Sequence, residues 1–167
     1  MNPAPVVPVK STSNATAALS RQPVPASGLP EIHVAAGVIG NAVGEVLISQ
    51  RTAGRELAGA WEFPGGKIRD GEAPFAALRR ELDEELGIEV IEAEPLLDYR
   101  HTHAARIVRL DVWRVLRYAG EPRGREGQPL RWAAPGRLLE IGLLAADEPI
   151  VAALLANPAG ALNRQSG

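Results

Sequence analysis

The residues best suited to chemistry are three glutamates that fall on one predicted helix. Glu81, Glu84 and Glu85 are spaced i, i+3 and i+4, so they share one helix face. Like charges in this arrangement repel each other, and the helix dipole disfavours acidic residues towards the C-terminus. A hard cation such as Mg²⁺ offsets both effects, because it prefers carboxylate and water oxygens. The alternative is the ordinary solvated face of a charged helix.

A longer string of residues surrounds these glutamates and favours the metal-binding interpretation. Its fixed positions are Gly66, Glu72, Arg80, Glu81, Glu84, Glu85 and Gly87. The string resembles the Nudix box at every specified position. A motif of this length is much more specific than a lone glycine motif.

Three further segments extend the resemblance to the MutT family within the Nudix superfamily. Residues 61–67, 125–129 and 146–149 resemble that family's approach to the box, its second metal-binding loop and its base-recognition turn. The resemblance implies hydrolysis of a nucleoside triphosphate to the monophosphate and pyrophosphate, through attack of water on a bridging phosphorus. It also implies a role in clearing 8-oxo-dGTP from the nucleotide pool.

The resemblance assigns ligand roles around Mg²⁺, for which Mn²⁺ could substitute. Glu84 and Glu85 are expected to be direct ligands, with the carbonyl of Gly65 completing the shell. Glu81 is expected to act as the general base or as a further ligand. Glu126 is expected to approach the metal from its separate loop.

Four charged residues near these ligands are candidates for supporting roles. Arg80 is expected to orient the glutamates during catalysis, and a simple helix ion pair is the alternative. Glu72 suits both support of the metal loop and a position near the helix N-terminus, and the two are compatible. Arg51 is predicted to contact phosphate, because a guanidinium suits bidentate contact, and Lys67 could do likewise. A solvated charge is the alternative for Arg51.

Substrate binding is predicted for Phe63 and base recognition for Asp147, and two substrate classes stay open. The MutT pattern for oxidised guanine usually has asparagine where this chain has Asp147. Asparagine both donates and accepts hydrogen bonds, whereas an ionised aspartate only accepts. An acceptor suits the N7–H of 8-oxoguanine and equally the amino group of cytosine, so CTP or a modified pyrimidine nucleotide is the alternative. A simple cap on the last helix is the structural alternative for Asp147.

The elements that must position these residues predict a mixed α/β domain. Short apolar or alternating segments predict strands at residues 33–39, 45–50, 61–63, 107–116 and 130–133. The first two are expected to form a hairpin. Pro74, a leucine at every fourth position and Gly87 predict the start, the buried stripe and the end of the glutamate helix. With a second helix at residues 150–155, we expect the Nudix fold, a mixed β-sheet sandwiched between helices.

Length and composition bound the remaining properties. The 167 residues fit one domain at 31–158, with a disordered Pro/Ala-rich tail at 1–30 and a flexible C-terminus at 159–167. A net charge of −2 suggests no nucleic-acid polymer and no membrane as partner. The absence of cysteine excludes thiol nucleophiles and fits a cytoplasmic protein. A monomer and a dimer are both open, and a catalytically silent nucleotide-binding module is the alternative to an enzyme.

Overall fold

The computed structural model describes residues 28–158, and this part of the chain forms seven strands and three α-helices. The strands are β1 Glu31–Ile39, β2 Val46–Gln50, β3 Trp61–Glu62, β4 Gly65–Lys67, β5 Glu89–His103, β6 Arg106–Ala119 and β7 Leu130–Ala133. The helices are α1 Pro74–Leu86, α2 Leu138–Ile141 and α3 Glu148–Ala156. The predicted C-terminal segment 159–167, and residues 1–27 of the predicted tail, lie outside the described residues. None of the described helices is long and apolar enough to cross a membrane.

The strands are divided between two sheets. One has the order β4-β1-β6-β5, and the other has the order β3-β2-β7. In the larger sheet β1 is parallel to β6 and antiparallel to β4, so the sheet is mixed as predicted. The predicted fold class is confirmed, and the second sheet is an addition to it.

The predicted hairpin between β1 and β2 is wrong. Between these strands only the single bridge of Gly40 with Val46 is formed, and β2 instead pairs with β3 and β7. The connecting turn is held by the Asn41 side chain, which accepts hydrogen bonds from the backbone N–H groups of Val43 and Glu45. This turn passes the chain from one sheet to the other, because β1 already has a partner along each edge.

Alternate residues of the central strands bury their side chains on opposite sides, as a sheet between two helical layers requires. Ala35, Ile39 and Leu47 pack in a cluster with the buried leucines of α1. Ala36 and Val38 pack in a second cluster with α3. Helices therefore cover both faces, as the sequence predicts.

Helix α1 has the predicted boundaries and the predicted buried stripe. Pro74 occupies its first turn, and Gly87 ends it in the left-handed conformation at φ 69°. Leu78, Leu82 and Leu86 are fully buried. This burial fixes the rotation of the helix and therefore the direction of the glutamates on its other faces.

Strand β5 was missed by the sequence analysis. It forms a long antiparallel hairpin with β6, and its register shifts around residues 90–93 and between Pro95 and Leu97. These irregularities, with a proline inside the strand, interrupt the period-two pattern that predicts strands. His101 and His103 lie near the end of this strand.

Candidate active site

The contact between α1 and β4 forms the centre of the site. Glu85 lies on α1 with only 7% of its surface exposed, and its carboxylate accepts a hydrogen bond of 3.2 Å from the backbone N–H of Gly65. Burial raises the pKa of Glu85 to about 8, although the Gly65 hydrogen bond opposes this shift. Burial thus deprives the Glu85 carboxyl group of water, which disfavours its charged form.

Arg80 ties the loop before α1 to the glutamates on the helix. Its guanidinium makes two bonds of 2.8 Å to the two oxygens of Glu72, and these bonds lower the pKa of Glu72 to about 2. The same side chain contacts Glu81 at 2.5 Å and Glu84 at 3.4 Å. It also donates a bond of 3.0 Å to the carbonyl of Lys67. Arg80 therefore orients the carboxylates, and Glu72 holds Arg80 in place.

Gly66 brings the backbone of β4 against the Glu81 carboxyl group. A β-carbon at this position would lie 2.7 Å from the farther carboxylate oxygen of Glu81 and closer still to the rest of the group. The site therefore requires a residue without a side chain here. This contact explains the first glycine of the motif in physical terms.

The loop between β6 and β7 brings Glu126 to the same site. The side-chain N–H of Gln128 donates a hydrogen bond of 2.9 Å to the backbone carbonyl of Glu85. The side-chain oxygen of Gln128 accepts a hydrogen bond of 2.9 Å from the backbone N–H of Glu126. Glu126, Glu85 and Gln128 then line one pocket together with Glu62 and Arg55. The predicted metal-binding loop is thus placed beside α1.

Arginines neutralise most of these carboxylates as the protein stands. The ion pairs are Arg80–Glu81, Arg80–Glu84, Arg69–Glu84 and Arg55–Glu126. Within residues 28–158, no three His, Cys, Asp or Glu side chains are already positioned to hold a metal ion. The Arg69 and Arg55 pairs are long, at 3.6 and 3.5 Å, and exposed, so they cost little to break. The all-oxygen donor set around the buried Glu85 carboxylate fits a hard divalent cation.

Arg51 and Lys67, the predicted phosphate contacts, have different surroundings. Arg51 pairs with Glu62 at 2.7 Å, and its buried Nε has no hydrogen-bond partner in the described structure. Burial raises the pKa of Glu62, and the charge of Arg51 opposes this shift. Lys67 is exposed on β4, and its backbone carbonyl receives the bond from Arg80.

Asp147 and Phe63, which are far apart in sequence, meet beside Glu62 and Arg51. Asp147 is 5% exposed, and its Oδ2 accepts a hydrogen bond of 2.9 Å from the backbone N–H of Phe63. Burial raises the pKa of Asp147 to about 7, although the Phe63 bond opposes the shift. Asp147 stands at the N-cap of α3 without a side-chain cap bond, so the helix-cap alternative is wrong. The Tyr99 hydroxyl donates a hydrogen bond of 2.6 Å to the backbone carbonyl of the neighbouring residue, Ala146.

Sequence reasoning missed four residues of this arrangement. Glu62 and Gln128 lie inside segments that resemble the MutT family, so those segments contained the signal. Arg55 and Tyr99 lie in a loop and in the unpredicted strand β5, respectively. Their positions depend on long-range packing, which no local pattern encodes.

Comparison with known proteins agrees with this geometry. The NUDIX domain family matches residues 35–153. An 8-oxo-dGTP diphosphatase of Haemophilus influenzae is 43% identical over 101 residues, which are 60% of this chain and 74% of that protein. A CTP pyrophosphohydrolase of Escherichia coli is 39% identical over 113 residues, which are 68% of this chain and 84% of that protein. The solution structure of the E. coli ORF135 protein has a TM-score of 0.70 and 37% identity, covering 81% of this chain and 96% of that one.

The chain belongs to the NUDIX domain family and is a Nudix hydrolase. Hydrolases of this family generally use a divalent metal ion. A nucleotide substrate is consistent with membership of this family. The resemblance to MutT proteins found in the sequence is confirmed.

Proposed function

We propose that this hydrolase uses Mg²⁺ to cleave nucleoside triphosphates to monophosphate and pyrophosphate, with 8-oxo-dGTP as its preferred substrate. The observation that carries the proposal is the buried Glu85 carboxylate held at Gly65, with Glu81 and Glu126 beside it. The diphosphatase from H. influenzae supports the choice of 8-oxo-dGTP. Mn²⁺ could replace Mg²⁺, because both take oxygen ligands.

In this proposal each residue has one task in the reaction. Glu84, Glu85, Glu126 and the carbonyl of Gly65 would hold Mg²⁺, which would neutralise phosphate charge and position the attacking water. Glu81 would accept the proton of that water, since its carboxyl group lies directly against β4 at the centre of the site.

Three positively charged side chains would orient the glutamates and bind the phosphates of the substrate. Arg80 would keep the three helix glutamates in register while they exchange ion pairs for metal. Arg51 would turn from Glu62 towards phosphate, which suits its unpartnered Nε. Lys67, exposed on β4, would add a second positive charge near the phosphates.

The base would be read at Phe63 and Asp147. Because Asp147 already accepts the Phe63 N–H with Oδ2, its remaining lone pairs are left for N–H groups of a base. This chemistry equally suits the amino group of cytosine. CTP or a modified pyrimidine triphosphate is therefore the second candidate, and the E. coli CTP pyrophosphohydrolase supports it.

The test is a comparison of kcat/KM for 8-oxo-dGTP, dGTP, CTP and 5-methyl-dCTP at fixed Mg²⁺. The proposal expects the highest value for 8-oxo-dGTP. A higher kcat/KM for CTP or 5-methyl-dCTP would mean that the protein is a pyrimidine triphosphate pyrophosphohydrolase. If no triphosphate is hydrolysed, the protein is a nucleotide-binding module without catalytic activity.

A further inference from the structure

Arg55 is a charged residue of the pocket to which neither the motif nor the mechanism above gives a role. It lies in the loop between β2 and β3, which spans residues 51–60. Of the described residues that line the pocket, three are glutamates, and Arg55 alone carries a positive charge. The pocket thus contains one guanidinium among three carboxyl groups.

The ion pair of Arg55 is of a kind that can exchange. Its Nη2 lies 3.5 Å from Oε2 of Glu126, and the two side chains are 47% and 48% exposed. Such a pair contributes little free energy to the fold. Glu126 is also the carboxylate that the proposed metal would need. The guanidinium and a divalent cation therefore compete for the same oxygens.

The loop itself is fastened independently of this pair. Glu56, the next residue, forms an ion pair with Arg106 at the start of β6. Backbone bonds from Arg51 N to Ala60 O and from Gly59 N to Arg51 O close the base of the loop. These contacts do not involve Glu126, so they would hold the loop beside the pocket after the ion pair between Arg55 and Glu126 breaks.

We propose that Arg55 is a substrate-binding residue that neutralises Glu126 in the metal-free protein and binds the β- and γ-phosphates of the substrate once Glu126 holds the metal. The part of the triphosphate that is released as pyrophosphate carries most of the charge, and a guanidinium can bind two of its oxygens at once. This inference rests on the proposed function, since it assumes a metal and a triphosphate at this pocket.

The test measures two binding equilibria, without turnover, in Arg55→Ala, Arg55→Lys and the control Arg137→Ala. Arg137 forms an exposed ion pair with Glu140. It is not among the residues lining the pocket described above. Calorimetry gives the affinity for Mn²⁺ alone and then for pyrophosphate in saturating Mg²⁺. Pyrophosphate is used because its binding does not depend on the identity of the base.

Arg55→Ala should change the two affinities in opposite directions. Pyrophosphate binding should weaken about tenfold through the loss of a charge-assisted contact. Mn²⁺ binding should tighten about fivefold, because a competing charge is removed. Arg55→Lys should keep the wild-type Mn²⁺ affinity and lose only part of the pyrophosphate affinity, and Arg137→Ala should change neither.

Three results would overturn the inference. Arg55→Ala could leave pyrophosphate affinity unchanged, leave Mn²⁺ affinity unchanged, or weaken both, and the last result would mean a merely structural role. A wild-type protein that binds neither Mn²⁺ nor pyrophosphate would instead contradict the proposed function itself. The failures of the two proposals are thus distinguishable.

Discussion

Replacing Gly66 by alanine should separate the chemistry of the site from the stability of the fold. The backbone of Gly66 has an ordinary φ, so alanine adds no conformational strain there. The three atoms nearest to the new β-carbon would all belong to the Glu81 carboxyl group, the farthest of them an oxygen at 2.7 Å, whereas ordinary contacts are 3.4–4 Å. The Glu81 carboxylate must therefore retreat by about 1 Å, a displacement that can lower a rate roughly a hundredfold.

The assay is kcat/KM for Mg²⁺-dependent hydrolysis, with thermal unfolding measured in parallel. Gly66→Ala should lose about a hundredfold in kcat/KM with little change in the unfolding midpoint, because the end of a flexible side chain gives way. Gly136→Ala is the control, since a β-carbon there would meet nothing within 4 Å. Gly65→Ala is the contrast, because its φ of 154° and the nearby Ala36 backbone at 2.8 Å should destabilise the fold itself. Wild-type activity of Gly66→Ala would refute the placement of Glu81 at the reaction centre.

Four other predictions concern the N-terminal segment, Glu84 and Asp147. Deleting residues 1–27 should leave activity and the thermal midpoint unchanged; a large loss of either would give that segment a role. Glu84→Gln should abolish most metal-dependent turnover and keep a native circular dichroism spectrum, and near-wild-type turnover at ordinary Mg²⁺ would remove Glu84 from the ligand set. Asp147→Asn should keep the Phe63 bond and shift kcat/KM about ten- to a hundredfold towards 8-oxo-dGTP over CTP, whereas a common factor for both would make Asp147 structural. Because ionising the buried Asp147 is unfavourable, unfolding curves should show wild type losing stability relative to Asp147→Asn as pH rises from about 4 to about 7.

The centre of the site could be predicted because it is nearly continuous in sequence. Residues 66–87 contain the glycine, the arginine and the glutamates in one strand-loop-helix unit, and the buried leucines of α1 fix which way the glutamates face. Local periodicity and turn chemistry predicted the helix of this unit, whereas strand β4 was not predicted, and the roles of the site residues came from the resemblance to the Nudix box. The contacts of Arg80 with Glu72 and Glu84 are of the same local origin.

The remaining parts of the site depend on contacts between residues that are distant in sequence. The hydrogen bond from Phe63 to Asp147 joins positions 84 residues apart. The residues next to Asp147 in the sequence predict only a helix cap at this position. The place of Arg55 beside Glu126 results from the packing of two loops. The separation of β1 from β2 likewise reflects competition among strands for partners, which a turn sequence alone does not report.

Product analysis of 8-oxo-dGTP hydrolysis, with Mg²⁺ and with excess EDTA, tests directly whether a metal at this site cleaves the triphosphate to monophosphate and pyrophosphate. We expect 8-oxo-dGMP and pyrophosphate in equal amounts when Mg²⁺ is present, and no products in EDTA. Release of orthophosphate with a nucleoside diphosphate, or undiminished hydrolysis in EDTA, would contradict the assignment of Gly65, Glu84, Glu85 and Glu126 to a metal that directs attack within the triphosphate.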